Sequence, residues 1–388
     1  MKIAFVHSHY FIKDPQTNEV YSPGKFSYNT WSRFLEFCDE LVVISRMRYL
    51  SDTDNKELLS RVSGERITFI GLSNINGISL MLNNYLKVQK EIREVAKTCD
   101  GIVARMPSNY SIIAIQTAKK LSVPYAVEMV GDPWDSLWNY GSLKGKMIAP
   151  VTSLQNKFFL KNSPFVIYVT KEYLQKKYPS KGITAYASNV ELESVGLNEL
   201  EKGIGGEKKD FHTIGLIGSL SAKYKGIDTA LKALKELRKY DDYKLEVVGD
   251  GDQSYWEELA RTIGVHENVL FKGVLKRGDL FNWLSTIDIY IQPSKTEGLP
   301  RALIEAMSVG CPAVASNVGG IPELLDDNYL HRPSDFIELA KKIKSIVNDK
   351  QILKSSSKSN IATAKEYKRE VVEQKRSDFW KVFFANIT

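Results

Sequence analysis

Two glutamates, Glu297 and Glu305, sit eight positions apart in the stretch TEGLPRALIEAM at residues 296–307, with Gly298, Leu299, Pro300 and Arg301 between them. Pro300 suits the first turn of a helix, where the N–H it lacks has no partner to lose and its φ is already helical. The helix then starts just after Gly298. The N–H groups of Gly298, Leu299, Arg301 and Ala302 are left without helical partners and form a partly positive seat for a phosphate or for sugar hydroxyls. Gly298 lets a ligand come close to the chain. Glu305 falls in the second turn, off the apolar face of Leu303, Ile304 and Met307. With both glutamates on one helix they would stand about 12 Å apart. One carboxylate can then accept from hydroxyls near a ligand's reacting end, and the other from a vicinal pair such as that of ribose. The spacing alone fits two ordinary surface acids equally well.

The elements that must position this stretch are legible in the second half. Apolar runs at 213–217, 245–248, 269–271, 287–291 and 312–316 alternate with helix-period segments at 227–237, 255–263, 280–284 and 300–309. Continuous apolar strands alternating with helices predict a parallel sheet covered on both faces. Ligands of such sheets bind beyond the carboxyl ends of the strands. There the sequence places GSLSAKYKG (218–226), GDGD (249–252), KGV (272–274), the glutamate stretch and NVGGIPE (317–323). The first half repeats the pattern with strands at 2–6, 41–44, 67–70, 102–104, 125–128 and 166–169 and helices at 26–37, 81–95 and 112–121. The expected fold class is α/β, two facing Rossmann-like domains. Residues 1–190 form the first, joined by a returning helix at 367–388, and residues 191–366 form the second. Residues 191–210 read as a linker and KSSSKS at 354–359 as a loop.

Length and composition agree: 388 residues exceed one core, and 43% apolar with 26% charged content makes a globular chain. Cys38, Cys99 and Cys311 are far apart and predict neither a disulfide framework nor a zinc cluster, which fits a reducing cytoplasm. The first residues are too short for a signal-peptide core, and no apolar run reaches the ~18 residues of a membrane span. The net charge is +7, and no acidic residue occurs from 136 to 171, where Lys144, Lys146, Lys157 and Lys161 alternate with Trp138, Met147, Phe158, Phe159 and Leu160. That stretch fits a basic helix with its aromatics packed inward, or one resting on an anionic membrane surface.

EGLPRALIEAMSVGCPAVASNVGGIPELL resembles the nucleotide-sugar-binding segment of the retaining glycosyltransferases of family 4, which have the GT-B fold. GSL, YKG, LEVVGDGD, VLFKGVL and IDIYIQPSKTEG extend the resemblance over most of the second half, while the first half matches only in its order of strands and helices. The resemblance implies that Glu297 lies at the donor sugar's hydroxyls, that Glu305 binds the ribose, and that Lys225 neutralises the diphosphate leaving group. It places Gly249, Val274, Gly298, Leu299, Pro300 and Arg301 in donor-binding loops and Gly24, in SPGKFS, against the donor phosphate. Two positions depart from the family. Ser219 stands where an arginine is usual, with Lys223 or Lys25 as substitutes. No histidine occurs between His9 and His212, so Asp132 or Glu128 in VEMVGDPWD takes that histidine's place near the reacting sugar, unless Asp132 merely forms a turn with Pro133.

Arg105, just after a first-half strand, suits an anionic acceptor or a surface ion pair. Asp250 and Asp252 imitate a D-x-D metal signature but fit a turn, and His7 and His9 lack a nearby carboxylate cluster. No metal or cofactor is expected. The implied reaction transfers a hexose from a nucleoside diphosphate sugar to a sugar, glycan or lipid-linked acceptor, in bacterial cell-surface polysaccharide or glycolipid synthesis. Ser219 and the missing histidine keep a catalytically inactive sugar-nucleotide sensor as the alternative. A dehydrogenase is disfavoured because no G-x-G-x-x-G follows a first strand, and nucleic-acid binding because no recognised module is present.

Overall fold

The computed structural model describes residues 1–24, 26–75, 78–139, 143–196 and 211–387. Lys25 and most of the expected linker, residues 197–210, lie outside them. Fifteen strands are described: β1 (Lys2–Lys13), β2 (Val20–Ser22), β3 (Glu40–Tyr49), β4 (Ser60–Arg61), β5 (Ile67–Leu72), β6 (Gly101–Met106), β7 (Tyr125–Met129), β8 (Phe165–Tyr168), β9 (Ile183–Tyr186), β10 (His212–Ile217), β11 (Tyr243–Val248), β12 (Val269–Gly273), β13 (Ile289–Gln292), β14 (Ala313–Ser316) and β15 (Leu330–His331).

They form two sheets. In the first, β4-β2-β1-β6-β7-β8-β9 lie in that order, with β3 pairing β1 and β5 pairing β3. The second is β12-β11-β10-β13-β14-β15, parallel throughout. Successive side chains of a strand point to opposite faces, and here both faces are covered. Ala4, Val6, Ile102 and Ala104 pack against Val88, Ile92 and Ile113 on one side. Ile3, Phe5 and Val103 pack against Trp31, Phe34, Trp380 and Phe383 on the other. This two-sided burial is why these strands read as unbroken apolar runs. Trp380 and Phe383 belong to the helix Arg369–Ala385, which returns from the second sheet to cover the first. In the second sheet, Leu216, Leu245 and Val247 meet Leu231 and Leu234, while Tyr290, Ala313 and Ala315 meet Leu303 and Met307.

Three expectations are corrected. Residues 354–359 are part of the helix Lys350–Lys365, capped by Asp349. Ser356 and Ser357 are fully buried, and Ser357 lies so close to Gly310 that a Cβ there would meet its Oγ at 2.8 Å. The serines are small residues at a tight helix contact, which composition reads as a loop. The expected helix at 26–37 shrinks to a 3-10 turn Tyr28–Thr30 and a short helix Ser32–Leu35. The second-sheet helix starts at Arg301, with Pro300 as its N-cap at φ −73° and ψ 111°, one position earlier than the first turn.

Candidate active site

The loops after β10, β13 and β14 are drawn together by backbone-to-backbone contacts that only glycine permits. Gly226, at φ 76°, lies where a Cβ would fall 2.0 Å from the Pro293 carbonyl oxygen. Gly319, at φ 56°, would place one 1.8 Å from the Glu297 carbonyl oxygen, and the Gly320 N–H donates to the Gly298 carbonyl at 2.8 Å. Any side chain at either position would push the glutamate loop away. Gly298 itself faces open space.

Held in this way, Glu297 has a side chain only 9% exposed. Its Oε1 accepts from Lys225 Nζ at 2.8 Å, Ser294 Oγ at 2.7 Å and Gln292 Nε2 at 3.1 Å. All three donors converge on one oxygen, and Oε2 takes no hydrogen bond among the described residues. Behind the carboxylate, Tyr290 Oη donates to Gln292 Oε1 at 2.6 Å, and Gln292 Nε2 also reaches Ser294 Oγ at 2.9 Å. Gln292 and Ser294 are buried, so this chain fixes the carboxylate's orientation. Sequence reasoning missed these supporting residues, although a glutamine ending a buried apolar strand was the available signal.

Lys225 ends the 3-10 turn Lys223–Lys225, and its stem packs along Gly218, where a Cβ would lie 3.1 Å from the lysine's own Cβ. Lys223 turns its ammonium over the Tyr255 ring, 4.7 Å from its centroid. Ser219 Oγ donates to the Asp250 carbonyl at 3.4 Å. Asp252 accepts from Ser254 N and Oγ at 3.0 and 2.6 Å, so the D-G-D segment serves the turn that opens the helix Ser254–Ile263. Gly249 packs against the Gly218 carbonyl. Val274 is exposed beside Leu275.

A cleft of about 1400 Å³ opens between elements of both sheets. Arg301, Glu305 and Leu275 line it from the second, and Phe26, Arg33 and Arg105 from the first. Glu297 and Lys225 pair next to the start of the same helix but are not in this lining. On the first-sheet side Glu128 is buried between two guanidiniums, with Arg105 Nη1 at 2.7 Å and Arg33 Nη2 at 3.4 Å. Burial alone would raise the Glu128 carboxyl, but the two arginines hold it below its usual range. Burial lowers the Arg33 guanidinium to about 10. Burial, with Arg46 and Arg105 nearby, also drops His9 to about 4, and His7 falls well below its ordinary value for the same reasons. Gly24 packs beside His9, with 3.4 Å from a Cβ to the ring. Nothing in the sequence marked Arg33, which stands in an aromatic segment, or Arg376, which lines the cleft from the terminal helix.

Of the two readings of Asp132, the structure shows the turn with Pro133. The aspartate's side chain is 2% exposed, and it accepts from the Trp134 N–H at 2.9 Å, Tyr178 Oη at 2.6 Å, Tyr173 Oη at 2.5 Å and Lys177 Nζ. Burial would raise this carboxyl, but these donors keep it below its usual range. It caps the helix Pro133–Asn139 and ties it to the helix Tyr173–Lys177. Its carboxylate oxygens are taken up by these structural donors. Glu323 of NVGGIPE reaches across to the first half and accepts from the N–H groups of Lys171 at 2.6 Å, Glu172 at 3.0 Å and Tyr173.

Residues 197–366 match the family of glycosyl transferases group 1. The chain is 33% identical over 378 residues to protein CapJ of Staphylococcus aureus, covering 97% of this chain and 94% of that protein. Among solved structures, Anabaena HepE in complex with UDP-glucose superposes with a TM-score of 0.64 at 18% identity, over 98% of this chain and 100% of the other. WaaG, a glycosyltransferase involved in lipopolysaccharide biosynthesis, superposes with a TM-score of 0.62 at 15% identity, over 97% and 98%. These two likenesses show the fold, two Rossmann-like domains in the GT-B arrangement. The family match, together with the likeness to CapJ along nearly the whole chain, shows that the chain belongs to the group 1 glycosyl transferases.

Proposed function

We propose that this glycosyltransferase moves a hexose, with retention and without a metal, from a nucleoside diphosphate sugar to a hydroxyl of a sugar, glycan or lipid-linked acceptor. Cell-surface polysaccharide or glycolipid synthesis is its setting, with the protein in the cytoplasm and peripheral to the membrane. The observation that carries this reading is Glu297, whose Oε1 is saturated by Lys225, Ser294 and Gln292 while Oε2 takes no hydrogen bond among the described residues. A sugar hydroxyl can donate to Oε2 while Ser294 and Gln292 still hold the carboxylate, which leaves Lys225 able to turn to the phosphate. The diphosphate sits against the unpaired N–H groups at the start of the helix Arg301–Ser308, within reach of Lys225. Glu305, one turn further on, takes the ribose hydroxyls.

The bond from the anomeric carbon to the phosphate oxygen breaks as the acceptor oxygen bonds to that carbon on the same face. The acceptor's proton passes to the departing phosphate, whose growing charge Lys225 stabilises. The side chains supply position and charge, and no protein nucleophile is needed. Arg105 and Arg33, two guanidiniums sharing the single carboxylate of Glu128, hold an anionic acceptor on the opposite wall. HepE has been crystallised with UDP-glucose, and WaaG acts in lipopolysaccharide biosynthesis, which supports the donor class and the setting. The test is a panel of nucleotide sugars with the product's anomeric proton read by NMR. A product with the donor's anomeric configuration, formed in the presence of a metal chelator, is expected. An inverted product, or nucleotide binding without turnover on any donor, overturns the reading.

A further inference from the structure

The helix Leu143–Lys161 presents opposite faces of opposite kind. Ala149, Ser153, Asn156, Phe159 and Leu160 are buried against the first domain. On the other side Leu143, Met147, Val151, Leu154 and Phe158 are between 64% and 81% exposed. At 100° per residue these five side chains fall within an arc of about 80°, centred opposite the buried face. The stripe runs the length of a helix about 28 Å long. Contiguous apolar exposure of this kind marks an interaction surface.

The charges around the stripe identify what it meets. Lys144 lies along one border and Lys146 and Lys157 along the other, Lys161 closes the end, and all four are exposed. No aspartate or glutamate occurs from 136 to 171. The Lys146 ammonium sits 5.8 Å from the Trp138 ring centroid, and Trp138 is itself exposed and stacked on Trp134. An apolar stripe bordered by lysines, with a tryptophan at its margin, matches the boundary between anionic headgroups and acyl chains. A protein partner would need an acidic rim around an apolar groove, whereas a bilayer supplies both along the whole helix. No helix of the described residues is long and apolar enough to cross a membrane, so the contact is with the surface.

We infer that this helix docks the protein on an anionic membrane, lying in the plane of the interface with the stripe inserted to the depth of its side chains. It is fixed for that purpose. Ser153 Oγ lies 3.2 Å from Tyr178 Oη, which donates to the buried Asp132 at the carboxyl end of β7. A bilayer under the helix is thereby held at a set orientation to the strand ends that wall the cleft. This placement suits an acceptor whose lipid remains in the membrane.

The test is flotation of the full chain with vesicles of phosphatidylglycerol and phosphatidylethanolamine, and with phosphatidylcholine vesicles as the neutral arm. The parent is expected to float with the anionic vesicles and to be released by salt. L154S/F158S should lower the partition coefficient tenfold or more while its thermal melt stays unchanged. K144Q/K157Q should lower binding to the anionic vesicles by about fivefold per lysine and leave the neutral arm unaffected. A parent that stays in solution, or variants that partition as the parent does, overturns the inference. So does a dimer in sedimentation that L154S/F158S dissolves, since a second copy would then be the occupant. Vesicle binding is read without turnover, so the outcome is independent of the donor chemistry above.

Discussion

The carboxyl ends of the two sheets are built in opposite ways. Those of the second sheet are drawn together by glycines, and one carboxylate, Glu297, is surrounded by neutral donors and a single lysine. Those of the first carry an excess of positive charge: Arg33 and Arg105 share Glu128, and two histidines beside them are held neutral. The contrast separates two tasks. The second sheet fixes atoms at one point, which a reacting sugar requires. The first offers a broad basic wall, which sets the charge of what it meets but holds no atom so closely.

The largest effect is expected at the fixed point. Glu297→Ala should lower kcat by about 10³, roughly 4 kcal/mol of transition-state stabilisation, with nucleotide affinity within about threefold of the parent by calorimetry. Lys225→Met should cost nearly as much, and combining the two should cost less than their sum because they act as one pair. Arg105→Gln sharpens the contrast by acting on the other wall. It should raise KM for an anionic acceptor about tenfold and leave KM for the donor unchanged; an equal loss for neutral and anionic acceptors would erase the distinction between the walls. Glu305→Ala should weaken the nucleotide about tenfold by calorimetry.

The smallest effect is on stability and depends on pH. His9 titrates near 6.5 when unfolded and at about 4 when folded, so the unfolded chain binds the extra proton between those values. The stability this neutral ring preserves is fully present above pH 6.5 and is lost as the pH falls toward 4. After allowance for the ring's partial exposure, the loss is roughly 1–2 kcal/mol. Melting curves of His9→Gln should be flatter than the parent's over that range.

The sequence displayed the second sheet far better than the first. Its strands are continuous apolar runs, and glycines stand at the strand ends, with Gly226, Gly249 and Gly319 at close backbone approaches that admit no other residue. Glu297 was legible from the glycine-proline stretch it opens and Lys225 from the family resemblance, and the structure joins them in one ion pair at 2.8 Å. Gln292 and Ser294 were harder to find, because their role depends on where the next loop turns. On the first-sheet side, Arg33 and Arg376 come from separate elements, the second of them the returning terminal helix, and no local spacing foretells that both line the cleft. Asp132 was drawn to the site by its place after a strand. Its actual partners, Tyr173, Lys177 and Tyr178, lie some forty residues later and were invisible to a local reading. The burial of Ser356 and Ser357 misled for a related reason: serine composition suggests a loop, whereas small size suits a tight helix contact.

A crystal structure with a nucleoside diphosphate bound decides the matter most directly. The expected density places the phosphates against the N–H groups at the start of the helix Arg301–Ser308, with Lys225 swung from Glu297 onto a phosphate oxygen and the ribose on Glu305. Phosphates seated instead on Arg33 and Arg105, with the Lys225–Glu297 pair intact, would contradict the assignment.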